Sequence, residues 1–114
     1  MISIEKIIYD TLQLTGIEVT QRPVTGTASR YLTFSVTMGA LAQYASNTPH
    51  RVTHQITVDL FSRDEPVSRD VMDIIMTLHG NGFRVDGWGS CDFEADTRWY
   101  HIPITCRYAQ AIGD

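Results

Sequence analysis

Three groupings of side chains in this sequence have types and spacings that could do chemistry. His54 and Asp59 stand five positions apart in "VTHQITVDLF", the raw material of a general base with an orienting carboxylate. His50 and His54 are four apart, a metal-like spacing that zinc would complete with further ligands such as Cys91 or Cys106. Asp92, Glu94 and Asp96 alternate in "DFEAD", an arrangement that could collect a hard cation. None of the three survives a reading of its local structure. In a strand from Val52 to Ser62, Val52, His54, Ile56, Val58 and Leu60 leave one face and Thr53, Gln55, Thr57, Asp59 and Phe61 the other. His54 and Asp59 therefore point to opposite sides of the pleat and form no dyad. His101 shares the polar side with Asp59 and is the pair left to test, whereas His54, His101, Asp59 and Asp86 do not converge. Pro49 precedes the histidine pair in a region that alternates as a strand, so histidines at a sheet margin, and no metal, are expected. The acidic run lacks a calcium-loop signature and reads as a charged hairpin tip that discourages edge pairing.

Nucleophile motifs are missing. There is no Gly-x-Ser-x-Gly, no phosphate loop and no His-Glu-x-x-His. The glycine-rich "GNGFRVDGWG" follows a helical pattern instead of leading into one, so it cannot deliver a phosphate to a helix N-terminus. The chain has 114 residues, enough for one core and a single domain, 1–114. A formal charge of −4 argues against nucleic-acid binding through a broad basic face. No run approaches the ~18 apolar residues of a membrane span, and "MISIEKIIYDTLQL" mixes charges of both signs and does not read as a secretory signal. Two cysteines fit no metal spacing and no dense disulfide framework, which suits a reducing cytoplasm.

The elements that must position these residues follow from periodicity. Ile4, Ile7, Ile8, Leu12 and Leu14 keep helical spacing and Gly16 supplies a stop. After the loop "TGIEVTQRPVTGTASR", "YLTFSVTM" alternates, with Leu32, Phe34, Val36 and Met38 on one side. A second helix is predicted within "SRDEPVSRDVMDIIMTLHGNGF". Pro66 suits its first turn, Asp64, Glu65 and Asp70 its positive end, and Gly80 and Gly82 its exit. Val67, Val71, Ile74, Ile75 and Leu78 form its apolar stripe.

Two strands close the chain. Phe83, Val85, Cys91 and Phe93 share a side in the first, with Gly87 and Gly89 thinning it or marking a bulge. Tyr100, Ile102, Ile104, Cys106 and Tyr108 share a side in the last. A hairpin turning at Ala95 and Asp96 pairs Cys91 with Tyr100, Val85 with Cys106 and Phe83 with Tyr108, which puts both apolar sets on one face. The cysteines do not meet, so two free thiols are expected. The predicted fold is an α+β two-layer sandwich, a four-stranded, mainly antiparallel sheet with two helices on one face, in the order α-β-β-α-β-β.

Two features point towards association. Tyr31, Phe61, Trp88 and Trp99 all fall on the nominally polar face, among Thr33, Thr57, Thr105 and Arg107, a mixture that matches a protein interface. The segment 39–51, "GALAQYASNTPHR", joins neighbouring strands and is longer than the two to five residues usual in hairpin loops. With Ala40, Leu41, Ala42, Tyr44 and Ala45 it reads as a long loop, an arm that orders against a partner through Leu41, Gln43 and Tyr44.

The order of these segments resembles the tail-terminator or tail-completion proteins of long-tailed bacteriophages and prophages. The resemblance rests on the helix "IEKIIYDTLQLTG", the strand "YLTFSV" after a Pro-containing loop, and "HQITVDLFSRD" running into an amphipathic helix. "HGNGFRV" and the closing "DTRWYHIPITCRY" complete it, whereas the sequence of 39–51 does not match the pattern. The resemblance implies a structural virion protein, assembled in the bacterial cytoplasm and located in the tail or neck. It would form a hexameric ring that caps the tail tube, stops its growth and joins the head-neck connector, with no cofactor and no enzymatic activity. A net-negative ring would let DNA slide through without sequence-specific contact. A head-completion or other minor tail or neck protein is the nearest alternative, and a small-ligand or enzymatic α+β domain the more distant one.

Overall fold

Ser3 opens the first helix, α1 (Ile4–Gln13): its hydroxyl accepts from the Lys6 amide at 3.3 Å, satisfying one of the orphan N–H groups of the first turn. Glu5 lies in that turn and Lys6 pairs with Asp10 one turn on, at 2.8 Å. Ile4, Ile8, Thr11 and Leu12 are buried, while Leu14, expected in the stripe, lies beyond the last turn and is exposed. The second helix, α2 (Ser68–Gly80), starts later than the acidic run before it suggested, so that of the expected N-terminal acids Asp70 alone falls in the first turn. Val71, Ile74, Ile75 and Leu78 are its buried stripe. Its exit needs a glycine. Gly82 sits at φ +89°, its amide donates to the His79 carbonyl and the Phe83 amide to the Leu78 carbonyl, while Phe83 and Leu78 both enter the core. Residues 1–21, 29–45, 47–66 and 68–112 are described by a computed structural model of the chain. Val67, assigned above to the stripe of α2, lies outside the described residues.

The sheet is larger than the four antiparallel strands expected. Among the described residues six strands, β1 (Glu18–Val19), β2 (Arg30–Ala45), β3 (Thr48–Ser62), β4 (Arg84–Trp88), β5 (Asp92–Glu94) and β6 (Trp99–Ala111), form one mixed sheet ordered β1-β2-β3-β6-β4, with β5 also on β6. The element order is thus α-β-β-β-α-β-β-β, because the two-residue β1 pairs parallel to β2 and the predicted third strand divides into β4 and β5. The α+β reading holds. Ile4, Ile8 and Leu12 of α1 and Ile74 and Leu78 of α2 share one core with Leu32, Ile56, Val58, Leu60, Ile102, Ile104 and Cys106 of the sheet. The sheet residues of that core are the even-numbered ones, so both helices lie on one face.

The segment 39–51 is not a loop. β2 and β3 continue through it, pairing from Arg30 with Ser62 to Ala45 with Thr48, and the turn carries Asn47 at φ +65°. A bulge at Thr37 shifts the register by one, so Met38 opposes Gln55 and joins the outer face instead of following Val36 inward. β6 keeps company with β3 as far as Arg51 opposite Ala111. Beyond that row the Ile112 amide still donates to the His50 carbonyl at 3.0 Å, and past it, among the described residues, no further strand flanks the hairpin. The molecule is accordingly elongated, 53 × 25 × 24 Å, with a radius of gyration of 15.6 Å, where a compact 100-residue domain has about 13 Å.

A second bulge governs the other edge. Arg84 and Val85 oppose Arg107 and Cys106 as the hairpin register requires, but Gly87 opposes Thr105 and Trp88 opposes Ile104. Asp86 is the extra residue, and Trp88 is turned to the helix side, not the polar face on which alternation placed it. A second slip brings Phe93 opposite Tyr100, the place expected for Cys91. Two single shifts restore the original parity, which is why Phe93 still lies on the apolar side. Gly89 is the glycine this path needs, since a Cβ there would meet the Pro103 ring at 2.9 Å. Gly89→Ala is therefore expected to lower the melting temperature, whereas Gly87→Ala, which meets nothing within 4 Å, is not.

Both thiols are free, as the sequence predicts, Cys91 exposed and Cys106 buried. Burial first, then the Asp86 carboxylate, pushes the Cys106 thiol up to about 12. The unfolded chain ionises this thiol near 9.0, so between 9.0 and about 12 it has lost a proton that the folded chain keeps. Stability should be indifferent to this group below the lower value and fall as pH rises through the window. Urea melts across that range should show a shallower decline for Cys106→Val.

Candidate functional site

The outer face of the sheet carries a ladder of rings that follows from register alone. Tyr31, Phe61 and His101 occupy one row across β2, β3 and β6. Tyr31 stacks on Phe61 at 4.9 Å and Phe61 on His101 at 4.6 Å, nearly parallel in both cases, because neighbouring strands lie ~4.8 Å apart. Trp99 meets Tyr31 edge-on at 5.0 Å, and the Arg63 guanidinium lies 3.9 Å above the Trp99 ring. Arg63 is held by the Thr97 carbonyl, to which it donates at 2.9 Å. Burial, then the Glu94 carboxylate, raises the Tyr31 phenol, while Arg63 pulls it down.

This arrangement changes the standing of the four aromatics expected at an interface. Tyr31 and Trp99 retain only 5% and 7% of their exposure, and Phe61 is half-buried. They hold the subunit together and offer little surface to a partner. Trp88 is 56% exposed but on the opposite side of the sheet, so the structure does not bring it to the other three.

The alternation that separates His54 from Asp59 holds. His54 opposes Tyr108 and its Nε2 lies 3.1 Å from the Gln110 amide oxygen, while Asp59 meets His101 at 2.7 Å on the other face. The His101–Asp59 pair is thus real, and its chemistry is constrained. Nε2 is engaged by Asp59, Nδ1 faces Glu94 at 3.8 Å, and Phe61 lies flat against the ring. Nε2 is thus held by one carboxylate, while Nδ1, 3.8 Å from the other, lies beyond hydrogen-bond distance. Of the acidic run, Asp92 and Glu94 lie in β5 on the outer face, Glu94 accepts from the Thr97 hydroxyl, and Asp96 lies in the turn before β6. Among the described residues, no three His, Cys, Asp or Glu side chains are placed to hold a metal ion.

The segment that stands open is the hairpin arm. From Thr33 to Ala45, β2 reads "TFSVTMGALAQYA", without a charged residue. Among the described residues it has a neighbour on its far side only near Tyr31 and Leu32, where β1 pairs and the Thr20 amide donates to the Leu32 carbonyl. The rest of that edge presents backbone donors and acceptors in a row. Met38, Leu41 and Tyr44 are more than half exposed, Gln43 adopts φ +56°, and its amide oxygen accepts from Arg51 at 3.4 Å. Sequence reasoning chose Leu41, Gln43 and Tyr44 and took them for a loop. It missed Arg63 as the cover of Trp99 and Glu94 as the second neighbour of His101. The one available signal was their position next to aromatic residues at the same end of the sheet. No protein-family model matches the chain, and a search of curated proteins finds no match either.

Proposed function

We propose that this protein is a self-assembling structural component of a bacteriophage particle, a tail terminator or tail-completion protein. Its copies form a ring, hexameric in this reading, that caps the tail tube and joins it to the head-neck connector. It acts in the virion by shape and carries out no reaction. The observation that supports the reading best is the arm: a long strand, charge-free from Thr33 to Ala45, with exposed apolar side chains and, among the described residues, an edge unpaired beyond Leu32. An isolated hairpin is marginal in water, and soluble proteins usually blunt such edges with charge or proline. An arm left this bare is suited to a partner that covers it. The order of elements that resembles the tail-terminator family supplies the identity of the assembly, and the −4 charge suits a channel that passes DNA without holding it.

The test is the mass of the protein in solution, by sedimentation, alone and with assembled tail tubes. A ring, alone or templated by tubes, is the expected result, and electron microscopy should place it at the head-proximal end of the tail. A different site on the particle would favour a head-completion or other minor neck protein. Replacing His101 and Asp59 together by alanine is expected to leave tail joining intact. Loss of a catalytic turnover instead would turn the assignment towards an enzyme.

A further inference from the structure

A second apolar surface lies at the far edge of the sheet. Met72 and Met76 of α2 and Trp88 and Phe93 of the β4–β5 edge are all 42–58% exposed. Two adjoining depressions occupy the space between this helix and this edge. The larger, about 560 Å³, reaches from Met76 to Val85, and the smaller, about 220 Å³, from Met72 to Trp88 and Cys91. The bulge at Asp86 creates this surface by rotating Trp88 to the helix side. Methionines and an indole make a pliable, strongly apolar lining.

We infer that this groove receives the β2–β3 arm of a second copy of the chain, so that copies join head to tail. The inference rests on the ring reading above and names the two surfaces that would close it. A ring needs two different, complementary patches on each subunit, whereas a two-fold dimer needs one self-complementary patch. The arm leaves from the β2 edge and the groove lies beside β4 and β5, at the opposite edge of the sheet. The reach is sufficient: residues 37–45 span about 30 Å at ~3.3 Å per residue, against a subunit width of 25 Å. The chemistry matches as well. The arm offers Leu41 from one face and Met38 and Tyr44 from the other, on a β2 stretch, Thr33 to Ala45, that carries no charge to bury against Trp88 and the methionines.

Charge sets the direction of entry. Arg51 lies near the arm's tip, paired opposite Ala42. Glu65 and Asp92 are the chain neighbours of Pro66 and Cys91, which line the smaller end of the groove, and desolvation first, then these two carboxylates, raises the Cys91 thiol. The larger end carries His79 and Arg84 instead. A basic tip is drawn to the Trp88–Cys91 end and turned away from the other.

Cys91 makes the arrangement directly testable, since it is exposed in the groove while Cys106 is buried. The Leu41→Cys variant, assembled and treated with a short bis-maleimide at mildly alkaline pH, should give a ladder of covalent multimers. Adding Cys91→Ser should abolish that ladder. Met76→Glu should raise the concentration needed for assembly at least tenfold without changing the melting temperature. Cross-linking that stops at dimers and survives Cys91→Ser would mean that arms pair with arms, which overturns the docking and leaves self-association standing. Assembly with no cross-link overturns the docking too. A chain that sediments as a monomer at every concentration, with or without tubes, overturns the ring reading itself.

Discussion

Trp99→Ala is expected to destabilise the isolated subunit by about 3 kcal/mol, the low end for truncating a buried tryptophan. Trp99 is 7% exposed, rests edge-on against Tyr31 and lies under the Arg63 guanidinium. Removing the indole therefore empties a site with ring on one side and cation on the other, and Arg63 loses its platform. A domain of this size has about 5–15 kcal/mol in total, so the loss is a large fraction of stability and should appear as a lower urea midpoint with little change in slope. Trp99→Phe, which keeps a ring against Tyr31, should recover much of it. An unchanged midpoint for Trp99→Ala would put the indole back among surface residues and return the outer face to the list of partner surfaces.

The paired substitution Leu41→Lys and Tyr44→Lys is expected to have the opposite signature. Both side chains are more than half exposed and stand outside the buried core cluster, so melting should shift by no more than about 0.5 kcal/mol. Assembly should fail. An apolar anchor at an interface centre typically contributes about 2 kcal/mol or more, roughly thirtyfold in affinity per residue. Two lysines in a buried apolar contact add a desolvation cost on top. Sedimentation over a concentration series measures the effect. Assembly at the concentration the parent chain requires would remove the arm from the assembly mechanism altogether.

These two expectations reverse part of what the sequence suggested. Tyr31, Phe61 and Trp99 were correctly placed on the polar face, because strict alternation decides the side of a strand from which each residue leaves. Alternation cannot tell whether rings on that face meet a partner or one another. The row Tyr31–Phe61–His101 exists through the pairing of three strands distant in sequence, and that pairing converts three exposed-face aromatics into a self-contained stack. His101 and Asp59 were likewise legible as sharing a side, but not the Glu94 carboxylate that lies 3.8 Å from the other ring nitrogen.

The helices were legible because each carries its own evidence: a serine cap and 3.6-residue stripe in α1, the stripe and glycine exit in α2. The arm was not. "GALAQYASNTPHR" has little β-branched content and no buried face, so nothing local marks it as strand. Pairing with β3, itself anchored by β6 as far as Arg51, extends the ladder into it. Trp88 and Met38 were misplaced for a related reason. A bulge adds one residue to one strand and inverts every side chain beyond it, and which residue becomes the extra one is settled by hydrogen bonds to the neighbouring strand. By itself, then, the sequence determined the helices, most of the buried core and the α+β class, all of which depend on short-range periodicity. The tertiary structure alone decided where the strands end, which faces Trp88 and Met38 take, and which strands lie at the two edges of the sheet among the described residues, because those follow from cross-strand register, a property no single segment carries.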